Sequence, residues 1–211
     1  MLQPELDSLA SQEAMVRESL EGISKGDIVE RIWKTDHNVW KPHPESIVDR
    51  LGWLTVNSLM AQHVKSLEAF ASQIRSDGFQ SVVLMAMGGS AMAPKVFNTS
   101  PPRATGYPTL LIVDTTIPEM IQSVIDAVDL RTTLFIVASK SGDTLEVISL
   151  YKYFRCQVDR QLGSDVSGNN FIAITDAGTP LETLARDGNF RKIFLNPANV
   201  GGRFSGLSLF G

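Results

Sequence analysis

The chain has 211 residues, 20% of them charged, a formal net charge of −4 and one cysteine. That length supports one sizeable core, or one domain plus an arm. The acidic balance without any Lys/Arg run argues against general nucleic-acid binding, and a lone cysteine excludes a disulfide framework or a cysteine metal cluster. No apolar run reaches membrane-span length and the polar, acidic start does not read as a signal peptide, so a cytoplasmic protein without a membrane partner is the default expectation.

Residues Met1 to about Gly22 read as an amphipathic helix, with Leu2, Leu6, Leu9 and Val16 on an imperfect stripe, and Ile23–Trp33 as a second short helix. Two prolines in Thr35–Pro44 stop regular structure. His37 and His43 fall in that loop without ligand spacing and are expected to face solvent. Trp33, Trp40 and Trp53 are expected to fasten this arm to the body. A long helix is predicted from Leu54 to Ser76, with His63 packed on its apolar face and Asp77-Gly78 as its stop signal.

From Gln80 the pattern becomes strand, loop, helix, repeated. The predicted strands are Ser81–Met87, Thr109–Val113, Thr132–Ala138, Phe171–Thr175 and Phe190–Leu195. The predicted helices are Ala91–Phe97, Pro118–Val128, Leu145–Val158 and Pro180–Arg186, and Gln161–Asn170 reads as a polar loop. Cys156 sits in the third of these helices and is expected to be a small packing residue. Such alternation implies an α/β fold: a flavodoxin-like three-layer sandwich with a five-stranded parallel sheet, behind a helical arm. The C-terminal Asn199–Gly211 reads as a glycine turn followed by an apolar helix just starting, as in a fragment of something longer.

The most informative stretch is Val137-Ala138-Ser139-Lys140-Ser141-Gly142-Asp143-Thr144-Leu145-Glu146. An uncharged β-branched strand stops in a hydroxyl-rich turn and hands over to a helix. The free N–H groups at that helix start, its dipole and the hydroxyls of Ser139, Ser141 and Thr144 all favour an anion, above all a phosphate. Strand one ends in Met87-Gly88-Gly89-Ser90, where glycines permit close backbone approach and Ser90 adds a hydroxyl. A dinucleotide site with Asp114 as its ribose acid is the weaker reading, because Ser90 and Ala93 stand where that fingerprint needs glycine. A third turn, Gly201-Gly202-Arg203, follows strand five and adds a guanidinium. All three turns lie at carboxyl ends of predicted parallel strands and so open on one rim of the sheet, as suits a phosphorylated polyol.

These motifs, in this order and spacing, with Val200-Gly201-Gly202-Arg203-Phe204-Ser205 the most specific, resemble glucose-6-phosphate isomerases and, within them, the first sugar-isomerase (SIS) domain. The resemblance covers roughly Gln80 to the C-terminus. The arm is similar to that of bacterial isomerases sometimes fused to a transaldolase. The resemblance implies an arm over residues 1–53 and a sugar-isomerase domain over 54–211, cut short at its C-terminal end. It further implies interconversion of glucose 6-phosphate and fructose 6-phosphate through a cis-enediolate, with neither metal nor cofactor, in a homodimer. By matching position, Ser139, Lys140, Ser141 and Thr144 are expected at the phosphate, Gly89 and Ser90 at the substrate, and Arg203 at the enediolate. Glu146 either matches the carboxylate that orients the ring-opening histidine or is simply an acid favoured in a first helical turn. Asp143 departs from the family, which has Thr or another neutral residue there. Its carboxylate is expected to repel a phosphate unless it turns away.

The family's base glutamate, ring-opening histidine and closing lysine belong to sequence beyond Gly211. The chain alone is therefore expected to bind a sugar phosphate weakly and to catalyse little or nothing. Two other readings stay open: another aldose–ketose phosphosugar isomerase of the same fold, and a non-catalytic sugar-phosphate sensor.

Overall fold

The computed structural model describes residues 12–100 and 105–211. The first half of the expected N-terminal helix lies outside the described residues. In chain order the elements are α1 (Glu13–Lys25), α2 (Ile28–Trp33), α3 (Val56–Ala61), α4 (Val64–Ser76), β1 (Ser81–Ala86), α5 (Gly89–Thr99), β2 (Thr109–Val113), α6 (Pro118–Ala127), β3 (Thr133–Ala138), α7 (Leu145–Leu162), α8 (Ser164–Ser167), β4 (Phe171–Thr175), α9 (Pro180–Asp187) and β5 (Lys192–Leu195). Two further 3-10 helices matter for the site, Val48–Leu54 and Gly202–Leu207.

The five strands form one all-parallel sheet in the order β2-β1-β3-β4-β5. This is the flavodoxin-like order, and the chain reverses direction across the sheet between β1 and β3. Successive residues point to opposite faces, and both faces of the inner strands are covered, so β1, β3 and β4 read as continuous apolar runs. One face carries Val83, Met85, Phe135, Val137, Phe171 and Ala173 against Val147, Leu150, Phe154 and Val158 of α7 and Leu181 of α9. Phe135 is the hub, stacked on Phe171 at 5.0 Å and tilted on Phe154 at 5.2 Å. The other face carries Leu84, Ala86 and Ala138 against Ala91 of α5 and Phe210, and Leu134 and Ile172 against Ile74 of α4. The edge strands are less enclosed and keep polar Thr109 and Lys192 exposed.

Several expectations need correction. The predicted helix Leu54–Ser76 is two helices, α3 and α4, broken at Gln62-His63. Tight i→i+3 bonds, Gln62 N–H to Leu59 O at 3.2 Å and His63 N–H to Met60 O at 2.8 Å, close the first. His63 is exposed rather than packed, and its carbonyl accepts from Ser66 Oγ at 2.7 Å at the start of α4. The expected loop Gln161–Asn170 is largely helical, because Asp159 collects Arg155 and Ser167, while Asn170 Nδ2 donates to Thr133 O at 2.9 Å. The expected C-terminal helix is a 3-10 turn that stops at Ser208, whose hydroxyl donates to Ser205 O at 2.8 Å and turns Phe210 into the core. Cys156 is exposed, not packed. Of the three tryptophans only Trp53 fastens the arm, stacked on Phe204 with ring centroids 5.7 Å apart; Trp33 is 62% and Trp40 45% exposed.

Candidate functional site

Open α/β sheets bind ligands where the strand order reverses, outside the carboxyl ends of the strands. Here that crevice lies beyond Ala86 of β1 and Ala138 of β3, which are partners in register.

The turn after β3 is built around Ser139, whose side chain is buried. Its N–H donates to Ile174 O at 3.0 Å on β4, and its hydroxyl lies 2.8 Å from that of Thr144 and accepts from Gly142 N–H at 3.1 Å. Ser139 thus shapes the turn and holds Thr144, the residue that opens the 18-residue helix α7. Gly142 has φ of +76°, and a Cβ there would lie 2.6 Å from Thr179 Cβ, so only glycine lets the turn settle against the start of α9. Ser141 is exposed and donates to the Asp143 carboxylate, which is exposed as well. Glu146 is exposed in the first turn of α7.

Lys140 leaves this turn in another direction. Its ammonium donates to the Asp176 carboxylate beyond β4 and, at 2.7 Å, to Ala198 O beyond β5. The predicted phosphate-side lysine therefore ties two loops together. Asp176 has one oxygen on this lysine and another, Oδ1, buried with no partner among the described residues.

The segment after β5 runs back across this rim. Asn196 is buried and its Nδ2 donates to Pro197 O at 2.9 Å and Val200 O at 3.1 Å, which folds Pro197–Val200 into a tight bend. Gly52 N–H, from the arm's 3-10 helix, donates to Asn199 O at 3.0 Å. Gly202 then meets the turn after β1: a Cβ on Gly89 would sit 2.1 Å from Gly202 O, so the two backbones touch and only glycine fits. Ser90, half-buried, follows in the first turn of α5.

Between the start of α5 and the 201–206 segment opens a cleft of about 520 Å³. Gly89 and Arg203 of the predicted site residues line it, together with Arg50. Ser139, Lys140, Ser141 and Thr144 do not line it; they form the neighbouring turn, joined to it through Lys140 and Gly201. Sequence reasoning missed Arg50 and Asp176. No motif surrounds Arg50 in the arm, and the one available signal for Asp176 is its position just past a predicted strand. Asp114, the acid of the dinucleotide reading, is paired with Lys95. Among the described residues no three His, Cys, Asp or Glu side chains gather as a metal site, and no helix is long and apolar enough to cross a membrane.

The phosphoglucose isomerase family model matches residues 54–211, which includes every one of these turns. The chain belongs to that family. A glucose-6-phosphate isomerase from Chlamydia trachomatis is 31% identical over 134 residues, 63% of this chain and 25% of the relative. One from Campylobacter jejuni is 32% identical over 139 residues, 63% of this chain and 32% of the relative. One from Prochlorococcus marinus is 28% identical over 204 residues, 92% of this chain and 36% of the relative. The chain thus spans between 25% and 36% of the length of these phosphoglucose isomerases. Among solved structures, a hypothetical protein from Thermus thermophilus superposes with a TM-score of 0.72 at 26% identity, over 92% of this chain and 44% of its own. The C. trachomatis glucose-6-phosphate isomerase superposes with a TM-score of 0.59 at 26% identity, over 87% of this chain and 33% of its own.

Proposed function

We propose that the chain is the amino-terminal, sugar-phosphate-binding part of a glucose-6-phosphate isomerase, with glucose 6-phosphate and fructose 6-phosphate as its ligands. The observation that carries this reading is the meeting of three loops on one rim. Gly89 lies against Gly202, Lys140 lies against Gly201, and the hydroxyl turn that starts α7 sits beside them.

In this reading the phosphate rests on the N–H groups of Ser141, Asp143 and Thr144, the Gly142 N–H being held by Ser139 Oγ, and on the hydroxyls of Ser141 and Thr144, at the positive end of α7. Ser139 acts through Thr144, whose hydroxyl it holds at 2.8 Å. Lys140 acts through the Ala198–Gly201 bend. Ser90 meets the sugar. Arg203 faces the place where negative charge develops as a proton moves between C1 and C2 through the cis-enediolate, and a fixed guanidinium there lowers that barrier most in a water-poor cleft. Glu146, exposed on the first turn of α7, complements the helix dipole. The base glutamate, the ring-opening histidine and the closing lysine are assigned to the further length that the relatives possess, in a homodimer. The chain alone binds its ligand weakly and does not turn it over.

The test is a titration of the chain with fructose 6-phosphate, followed through the backbone amide signals. The amides of Ser139 to Thr144 are expected to shift, and Ser141→Ala combined with Thr144→Ala is expected to remove the shift while leaving the fold intact, as the rest of the amide spectrum shows. No perturbation of these amides at millimolar ligand would falsify the phosphate site.

A further inference from the structure

We propose that Arg50, carried on the arm, is a second anion-binding group of the cleft that Arg203 lines; the proposal rests on the sugar-phosphate reading above. Arg50 lies in the 3-10 helix Val48–Leu54, outside the segment matched by the family model. That helix is fixed to the site on three counts. Leu51 and Leu54 are buried, Gly52 donates to Asn199 O, and Trp53 stacks on Phe204, the residue next to Arg203. The arm thus delivers a guanidinium to the mouth of the same cleft.

The charge pattern of the cleft asks for an anion. Among the described residues, Arg50 and Arg203 are the charged ones in its lining, and no carboxylate lines it. Arg50 has one ion-pair contact, Nε to Asp49 Oδ2 at 3.6 Å between half-exposed side chains, an arrangement worth little in water. Arg203 has no ion pair among the described residues. Two cationic residues on the wall of one concavity favour an anion between them, and guanidinium forks suit the oxygens of a phosphate ester or an enediolate. Because Arg50 is half-exposed, it draws the charged ligand in and holds it at the rim, and it gives the association a dependence on salt.

The experiment titrates fructose 6-phosphate into the wild-type 211-residue chain and into Arg50→Gln and Arg50→Lys, at low and at raised NaCl. Arg50→Gln is expected to weaken binding by roughly three- to tenfold at low salt and to flatten its salt dependence. Arg50→Lys keeps the charge without the fork and should fall between. Binding of neutral fructose should not distinguish the three proteins. The thermal melt, expected unchanged for an exposed side chain, separates lost binding from lost folding. A wild-type chain that ignores fructose 6-phosphate overturns the sugar-phosphate reading and this role with it. A wild-type chain that binds, alongside an Arg50→Gln variant that binds equally tightly with the same salt dependence, overturns only the role of Arg50.

Discussion

The Lys140 side chain occupies the space that a side chain on Gly201 would need: a Cβ on Gly201 would lie 2.2 Å from Lys140 Cδ and 2.6 Å from its Cε. The lysine stem therefore packs along the Gly201 backbone while its head reaches Asp176 and Ala198 O. Side chain and glycine form one joint, and Arg203 hangs two residues beyond it.

Lys140→Met keeps most of the stem and deletes the charge. It leaves Asp176, whose side chain is 15% exposed, without its cation. A loss of about 1–3 kcal/mol is expected, the range for leaving a largely enclosed polar group without its partner. Adding Asp176→Leu should restore part of that loss, because the uncompensated carboxylate is then gone. Chemical denaturation of the wild type, the two single variants and the double variant measures the coupling; simple additivity would show that the clamp does not exist.

Gly89→Ala places a methyl group 2.1 Å from the carbonyl oxygen of Gly202, a backbone atom that cannot swing aside. Overpacking of this kind costs about 1–3 kcal/mol, and here the strain falls on the turn that carries Arg203. A drop in melting temperature is expected together with displaced amide signals from Gly201 to Ser205. A variant that melts like the wild type would mean that the two turns are not held in contact.

Asp143 accepts a hydrogen bond from the Ser141 hydroxyl and sets a carboxylate in the turn proposed for the phosphate. Asp143→Thr removes that negative charge and frees the Ser141 hydroxyl. Fructose 6-phosphate should bind several-fold tighter, most visibly at low salt where charge repulsion is least screened. Calorimetric titration of the two proteins decides it, and equal affinity would place the phosphate elsewhere.

In the arm, the Arg31 guanidinium, followed by the side chain and N–H of Asn38, holds the Asp36 carboxyl down to a pKa of about 2, against an ordinary 3.8. The folded value is depressed, so the contribution of this carboxylate is complete above the ordinary value and fades as pH falls through about 2. Carbon-detected NMR of the Asp36 carboxyl should give a midpoint near 2, with the backbone amide signal of Asn38, whose N–H donates to that carboxylate, changing over the same range. Arg31→Gln should raise that midpoint, while a midpoint near 3.8 in the wild type would mean that the contact is absent in solution.

The sheet was legible because each inner strand is buried on both faces and so carries an unbroken apolar run between polar turns. Thr109–Val113 and Phe171–Thr175 fall where the runs place them. The three site turns were legible because their glycines and hydroxyls announce backbone needs that local sequence expresses. The direction of Lys140 was not, since it depends on Asp176 and Ala198, which lie 36 and 58 residues further along. The break at Gln62-His63 was hidden because the apolar spacing of Leu59, Leu67, Phe70 and Ile74 continues across it. The helical character of Gln161–Asn170 comes from distant partners such as Thr133 O, which a polar composition does not reveal. Arg50 carried no local signal, because what matters is the seam that brings it to the cleft.

That seam divides the arm by its resistance to opening. From Leu51 onward the arm is packed on the 197–204 bend, with Leu51 and Leu54 buried and Gly52 N–H donating to Asn199 O, so the Gly52 amide proton should exchange only when the sheet itself comes apart. Helices α1 and α2 bury no residue, and their amides should exchange through frequent local fraying. The boundary between slow and fast exchange should therefore fall inside the arm, short of Trp53, leaving the Arg50 turn in the same cooperative unit as the glycine-rich loops.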